Sequence, residues 1–363
     1  MTRRRLHILS PFAGLLMSIA ALAPGAGAQG KTEAACVSCH RSQSQSQPRT
    51  PMGRALELPG ANPTLGENPK LTVRKGAYTY TVETHGEEST YNVSDGARTI
   101  SIPIHWNFGF GAQTWVLERS GRRYESAVSY YPSIPGLDFT TGDEDLKPRS
   151  LEEAIGREIE LRETKVCFGC HATSAVTNGK MTFESLRPGV TCEHCHAGTT
   201  THLADSLNGD FDSAPPDLRK RTSEEISNFC GQCHRSWETV VRNHWRGELT
   251  VRFQPYRLAN SKCFDGADSR ISCIACHDPH QDIVRQDSSY DGNCRACHSS
   301  STAGPQASSI AASTGSLIHA RICPTAKSEC VSCHMPKVKL PNGHLTFTDH
   351  QIRIVKPGEP FPN

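Results

Sequence analysis

The sequence predicts a mainly α-helical fold in which short helices and extensive loops wrap around covalent haems, with a small antiparallel β insert. The first observation is the pentapeptide Cys-x-x-Cys-His, which occurs seven times among the 363 residues. The second is a hydrophobic content of only 36%, which is low for a chain of this length. The third is an alternating, β-rich pattern over residues 70–135. Buried haem faces would supply the apolar area that the side chains lack.

Cys-x-x-Cys-His is the attachment signature of c-type haem. The two thiols add to the vinyl groups of one porphyrin, and the histidine binds its iron. Zinc ribbons and thiol redox sites also use paired cysteines, but they do not require the histidine that follows. Seven covalent haem c groups are therefore predicted. The attachment cysteines are Cys36, Cys39, Cys167, Cys170, Cys192, Cys195, Cys230, Cys233, Cys273, Cys276, Cys294, Cys297, Cys330 and Cys333, and the proximal histidines are His40, His171, His196, His234, His277, His298 and His334.

The N-terminus has the pattern of a secretory signal peptide over residues 1–28. Three arginines precede an apolar stretch, and Ala26, Gly27 and Ala28 form a small-residue cleavage site. An uncleaved anchor is the alternative, but the apolar stretch is shorter than the roughly 20 residues that span a bilayer. We therefore predict a periplasmic or extracellular protein. In such a compartment Cys263 and Cys323, which no motif uses, are predicted to form a disulfide, with two buried thiols as the alternative.

The chain divides into a signal peptide, a single-haem segment over residues 29–69, a β-rich insert over 70–150 and a six-haem cytochrome domain over 151–363. The insert shows the period of two that is typical of half-buried strands, for example at Tyr78, Tyr80 and Val82. Glycine-containing turns interrupt it, so about four to six short antiparallel strands are predicted between residues 70 and 135.

Two further segments have recognisable patterns. Residues 151–163 have the pattern of an amphipathic helix that leads into the second haem site. Residues 299–316 are small and polar, which indicates a loop. The formal charge is only +2, from 39 basic and 37 acidic residues, so the composition gives no indication of a nucleic-acid partner.

Three runs carry a resemblance to a known family: Gly189–His196, Cys273–His280 and Cys330–Lys337. They resemble the multihaem cytochromes related to the tetrahaem electron acceptor of hydroxylamine oxidoreductase, the cytochrome c-554-like family, whose superfamily includes pentahaem nitrite reductase. The resemblance covers residues 167–355 well and the first haem site moderately. It implies closely packed haem pairs that pass electrons along the chain, and it leaves the role of the β-rich insert unassigned.

The ligand on the second side of each iron separates a carrier from an enzyme, because two protein ligands close the coordination and an open position can take substrate. The resemblance implies His280, His350 and His202 as such distal ligands. Met52, a dozen residues after the first motif, is a further candidate that would raise the potential of that haem. The alternatives are His85, His105, His194, His244, His319 and His344.

We predict an exported heptahaem cytochrome that relays electrons between redox proteins, such as a quinol-oxidising membrane complex on which it docks and a terminal reductase. The alternative is an oxidoreductase that acts on a small nitrogen or sulfur compound at one five-coordinate haem. Tyr130, Tyr131, Arg252 and Tyr256 could serve such an iron, but the Cys-x-x-Cys-Lys site of pentahaem nitrite reductases does not occur. A structural subunit of a surface assembly is a third possibility.

Overall fold

The computed structural model describes residues 35–298, 323, 326–341 and 343–362. The predicted signal peptide, the predicted loop over residues 299–316 and the candidate ligand His319 lie outside these residues. Within them, no helix combines the length and the apolar character that a bilayer crossing requires.

The dominant element is an eight-stranded antiparallel sheet. Its strands are β1 (Leu56–Glu57), β2 (Lys70–Lys75), β3 (Tyr78–His85), β4 (Glu88–Ser94), β5 (Thr99–Phe108), β6 (Thr114–Arg119), β7 (Arg122–Ser126) and β10 (Gly156–Ile159), and β8 (Val128–Tyr131) and β9 (Gly136–Phe139) form a separate hairpin. Along the main path of the sheet the strand order is β10-β7-β6-β5-β4-β3-β2, and β1 pairs with β5. Neighbours in sequence are mostly neighbours in the sheet, so its centre is a meander.

The predicted fold class, mainly α with a small β insert, is therefore wrong. The sheet contains more strands than predicted and uses residues on both sides of the 70–135 stretch, from Leu56 to Ile159. The strands outside the predicted stretch, β1 and β10, are too short for an alternating pattern to identify them. They become strands because β5 and β7 offer them unpaired backbone groups, which a sequence pattern does not report.

Alternation explains the core of the sheet. Tyr80, Val82, Tyr91 and Val93 are fully buried on one face, while the residues between them are more exposed. They pack around Trp115, whose indole Nε1–H donates to the side-chain oxygen of Asn107 at 2.8 Å. The sheet thus has a hydrophobic core that its own side chains fill.

The amphipathic helix predicted over residues 151–163 is also wrong in its position. Glu153–Ile155 is a 3₁₀ turn, β10 follows it, and the helix begins only at Leu161. Leu151, Ala154 and Ile155 are the apolar positions behind the prediction, and they are buried against the sheet core. Apolar spacing over so few residues fits a buried turn as well as a helix.

The other described residues form short helices and loops. Besides a helical turn over residues 35–39, the helices are Arg41–Ser46, Pro63–Glu67, Leu161–His171, Cys192–Cys195, Thr199–Leu207, Ser223–His234, Trp237–Arg242, Gln254–Ala259, Cys273–Cys276, Asp291–His298 and Cys330–His334. Three small antiparallel pairs accompany them: Ala172–Thr173 with Arg187–Pro188, Val176–Thr177 with Lys180–Met181, and Lys337–Lys339 with Thr346–Thr348. The last pair leads directly to His350, one of the predicted ligands.

Candidate haem-attachment sites

All seven Cys-x-x-Cys-His motifs lie within the described residues, and each forms a helical turn or the end of a helix. Four motifs end the helices Leu161–His171, Ser223–His234, Asp291–His298 and Cys330–His334. In the other three, the histidine amide donates to the carbonyl of the first cysteine four positions earlier, as in a helix. These bonds join His40 to Cys36, His196 to Cys192 and His277 to Cys273, at 2.8–2.9 Å.

This local geometry suits the attachment chemistry. Side chains at positions i, i+3 and i+4 of a helix lie on one face, so both thiols and the imidazole of a motif project together. All fourteen motif cysteines are half-buried or exposed, so a porphyrin can reach them. The motifs therefore fit covalent haem.

Three motif histidines face a second histidine from a distant part of the chain. The ring centroids of His196 and His280 are 6.0 Å apart, and the rings are nearly parallel at 8°. His277 and His350 are 6.2 Å apart, and His40 and His202 are 6.4 Å apart. The predicted ligands His202, His280 and His350 are thus each opposite a motif histidine.

The spacing fits a metal ion between the rings. A metal–imidazole bond is about 2 Å long and the ring centre lies about 1 Å beyond the bonded nitrogen, so two imidazoles on opposite sides of one ion have centroids about 6 Å apart. The three pairs therefore have the separation that two axial ligands of one iron require.

Hydrogen bonds to Nδ1 orient several of these imidazoles. Nδ1 of His350 is 2.9 Å from the carbonyl oxygen of Thr348, and Nδ1 of His280 is 3.0 Å from a carboxylate oxygen of Asp278. His171 and His334 make the same contact with backbone carbonyls, of Ala55 and Arg353, at 2.9 Å. Because these acceptors require a proton on Nδ1, Nε2 keeps its lone pair for a metal.

The electrostatics favour the neutral ring. Burial lowers the pKa of His350 to about 4, with the nearby ring of His277 contributing further. Burial also lowers the pKa of His196 and of His277. Because the neutral imidazole is the form that binds a metal, these sites favour ligation over protonation at neutral pH.

His344, the alternative to His350, has a different environment. Its Nε2 lies 2.9 Å from Oδ2 of Asp138, and its ring packs on Tyr131 with centroids 4.8 Å apart. In His280 and His350 Nε2 is available to a metal, whereas in His344 Nε2 is hydrogen-bonded to Asp138. His344 thus connects the C-terminal segment to the hairpin of β8 and β9.

Met52 lies in a turn that packs on the third motif rather than in a ring pair. Its carbonyl accepts the amide of Val190 at 3.0 Å, and the Gln47 side chain donates to the carbonyl of Val190 at 2.5 Å. At the first motif, His40 already faces His202. Met52 and His202 are therefore rival candidates for the same position.

The remaining candidates have other surroundings. His105 packs on Trp106 with ring centroids 5.5 Å apart, and the Tyr131 hydroxyl donates to the carbonyl of Phe139 at 2.8 Å. His194 lines a cavity behind the third motif. Among the motif histidines, His171 packs on Phe108, with ring centroids 5.3 Å apart.

Several motifs contact one another directly. The Cys170 thiol is 3.9 Å from the carbonyl of Gln232, in the fourth motif, and it also contacts the Cys233 thiol. The thiols of Cys230 and Cys273 make a similar contact between the fourth and fifth motifs.

The last three motifs continue this series. The Asn293 amide donates to the carbonyl of Ala275 at 2.6 Å, which joins the sixth motif to the fifth. The carboxylate of Asp291 accepts the backbone amides of Glu329 and Cys330 at 2.8 and 2.9 Å, which joins the sixth to the seventh.

Sequence reasoning did not identify the side chains that hold these histidines and motifs in place through hydrogen bonds. Asp278 could have been found, because an aspartate two residues before a histidine forms a local turn, and here it accepts the amide of His280 at 2.9 Å. Asp291 and Arg257 could not have been found, since their partners lie far along the chain.

Comparison with known proteins supports the same chemistry. Residues 140–197, which include the second and third motifs, match the family of cytochrome c554 and c-prime. The crystal structure of the outer cell wall cytochrome OcwA resembles this one with a TM-score of 0.51 and 14% identity, over 89% of this chain and 79% of that chain. At this identity the likeness concerns the fold. No curated protein matches the sequence. The family match and the motifs support a multihaem c-type cytochrome of electron transfer.

Proposed function

We propose that this protein is an exported cytochrome that carries seven covalent haems and relays electrons between redox proteins. The observation that carries the proposal is the set of three histidine pairs, in which His40, His196 and His277 each face a distant histidine at 6.0–6.4 Å. An iron with two protein ligands is closed to substrate and suited to electron exchange.

Bound haems would supply the one-electron ferric/ferrous couples of such a relay. The chain's own residues hold and orient them. The motif cysteines would anchor the porphyrins, and the paired histidines would close the irons. The carbonyl of Thr348 and the carboxylate of Asp278 fix the tautomers of His350 and His280. Contacts that join the second motif to the fourth, and then the fourth to the fifth, sixth and seventh in turn, support exchange between the groups that these motifs would bind.

The location and partners belong to the proposal. The sequence of residues 1–28 and the cell-wall cytochrome with a similar fold support a periplasmic or extracellular location. Partners would be one-electron redox proteins, with a quinol-oxidising complex and a terminal reductase as specific candidates. The division into residues 29–69, 70–150 and 151–363, and the disulfide between Cys263 and Cys323, are proposed on the sequence alone.

The first test is to count haems in the full chain produced with a c-type maturation system. Mass spectrometry of the intact protein and quantified haem absorbance should both give seven covalent haems per chain. A chain that matures with zinc, or without covalent haem, would contradict the proposal.

The second test is electron paramagnetic resonance of the oxidised, loaded protein. Wholly low-spin iron is expected for a carrier. A high-spin signal worth one iron per chain, shifted by nitrite or hydroxylamine, would contradict the relay and support the oxidoreductase with one open haem.

A further inference from the structure

A buried ion pair lies directly beside the distal histidine of the fifth motif. Arg257 and Asp349 are only 1% and 0% exposed. Nε of Arg257 donates to Oδ1 of Asp349 at 2.8 Å, and Nη2 donates to Oδ2 at 2.9 Å. This two-bond arrangement fixes both the distance and the plane of the carboxylate, which a single contact from a lysine would not do.

Neighbouring contacts complete the arrangement. Nη1 of Arg257 donates to the carbonyl of Pro362 at 2.7 Å, and Nη2 also donates to Oε1 of Gln351 at 2.6 Å. Oδ2 of Asp349 accepts a further bond from Arg353 at 2.6 Å. All three guanidinium nitrogens thus have partners, and the pair satisfies the conditions under which buried charges are tolerated.

The ion pair is connected to His350 through the backbone. His350 follows Asp349 directly, and its carbonyl accepts a bond from the Ser261 hydroxyl at 3.3 Å. The same hydroxyl accepts the amide of Ile352 at 2.8 Å. His350 is thus held from both sides by residues in or just after the helix Gln254–Ala259.

We propose that Arg257 and Asp349 are positioning residues that hold His350 opposite His277, so that His350 serves as the second axial ligand of the fifth haem. The inference rests on the proposed function, because it requires a haem at Cys273 and Cys276. Without this ion pair, the segment after Thr348 loses the Arg257–Asp349 contact that sets the orientation of the His350 imidazole.

The test uses the full haem-loaded chain and measures the spin state of its irons. Asp349→Asn, which keeps the shape and removes the charge, should convert a low-spin signal into a high-spin signal worth up to one iron per chain. Arg257→Lys should give a smaller fraction, because lysine cannot bind both carboxylate oxygens. His350→Ala supplies the reference spectrum for complete loss of the ligand.

A variant that does not fold would not decide the question, so a double variant is included. Arg257→Met with Asp349→Leu replaces the ion pair by apolar side chains, an exchange that buried pairs often tolerate. Glu158→Gln is the matched control, since it removes the exposed ion pair with Arg122 on the sheet, far along the chain from His350. The control should keep the parent spectrum.

The outcomes separate the two proposals. If the unmodified chain carries no covalent haem, the proposed function fails. If it is loaded and low-spin, and the folded double variant keeps the same low-spin signals and midpoint potentials, then the ion pair only stabilises the fold and the positioning role is overturned. High-spin iron in the double variant, matching the His350→Ala reference, supports the role.

Discussion

At the scale of single residues, the nitrogen that each imidazole uses for a hydrogen bond separates the proposed ligands from His344. His280 and His350 use Nδ1 for a protein acceptor, whereas His344 uses Nε2. All three residues are half-buried histidines, so neither residue type nor exposure separates them. Their roles follow from which nitrogen the neighbouring backbone or carboxylate engages.

The first motif offers a direct test between two rival residues. His202→Ala should open one iron and produce a high-spin signal, because His202 faces His40 at 6.4 Å. Met52→Leu, which keeps the volume of the side chain, should leave the spin state and the potentials unchanged. The measurement is paramagnetic resonance with a redox titration. A fall in one potential in Met52→Leu would instead identify methionine as the ligand, since His/Met ligation raises the potential.

Asp143 predicts a pH dependence of stability. Burial, together with the charge of Glu125, raises the pKa of this carboxyl from 3.8 to about 6. Oδ2 has no hydrogen-bond partner among the described residues. A folded-state pKa above the unfolded value stabilises the fold below pH about 4, and this contribution is lost as the pH rises through about 6. Ionised Asp143 therefore lowers the free energy of unfolding at neutral pH.

Asp143→Asn should therefore stabilise the loaded protein at pH 7.5 by about 1–2 kcal/mol, with the gain shrinking towards zero at pH 4. Thermal unfolding at the two pH values measures it. Asp145→Asn, at an exposed position of the same loop, is the control and should have no such effect. Equal effects of Asp143→Asn at both pH values would contradict the assigned titration.

At the scale of elements, β10 depends on one glycine. Gly156 has φ +142°, a conformation that other residues rarely adopt, and a Cβ atom there would overlap the carbonyl oxygen of Glu125 in β7. Close approach of the two strands therefore requires glycine at this position.

Gly156→Ala should lower the free energy of unfolding by about 2–3 kcal/mol, since it combines backbone strain with a clash between strands. The control is Gly66→Ala in the helix Pro63–Glu67, where the added methyl group would meet nothing within 4 Å apart from its chain neighbours and the backbone of its own helix. That change should be neutral or slightly stabilising, because alanine favours a helix over glycine. Thermal unfolding compares the two, and similar melting temperatures would contradict the role of Gly156.

At the scale of the whole molecule, the two parts of the chain are stabilised differently. The sheet buries Trp115, Tyr91 and Tyr80 in its own core. After the fourth motif, by contrast, Trp237, Val241 and Trp245 are 51%, 44% and 39% exposed. These exposed apolar side chains lie close in sequence to an attachment motif, and the faces of bound haems would cover them.

The haem-free chain should therefore unfold in part. We expect limited proteolysis of protein made without haem attachment to leave a resistant fragment that spans the sheet, from about residue 56 to 159. The haem-loaded protein should resist cleavage in both parts. Equal degradation of the sheet and of the motif-rich part in the haem-free chain would contradict this expectation.

The sequence by itself determined the attachment chemistry, because Cys-x-x-Cys-His acts within one helical turn and needs no distant partner. It also indicated His202, His280 and His350 as candidates, through their resemblance to a family. The tertiary structure decided which motif histidine each one faces, why His344 is not among them, and how far the sheet extends. Those features depend on segments that meet only after folding, such as Arg257 with Asp349 and β7 with β10. Local periodicity carries no information about such contacts, since their energy comes from burial and pairing in the folded chain.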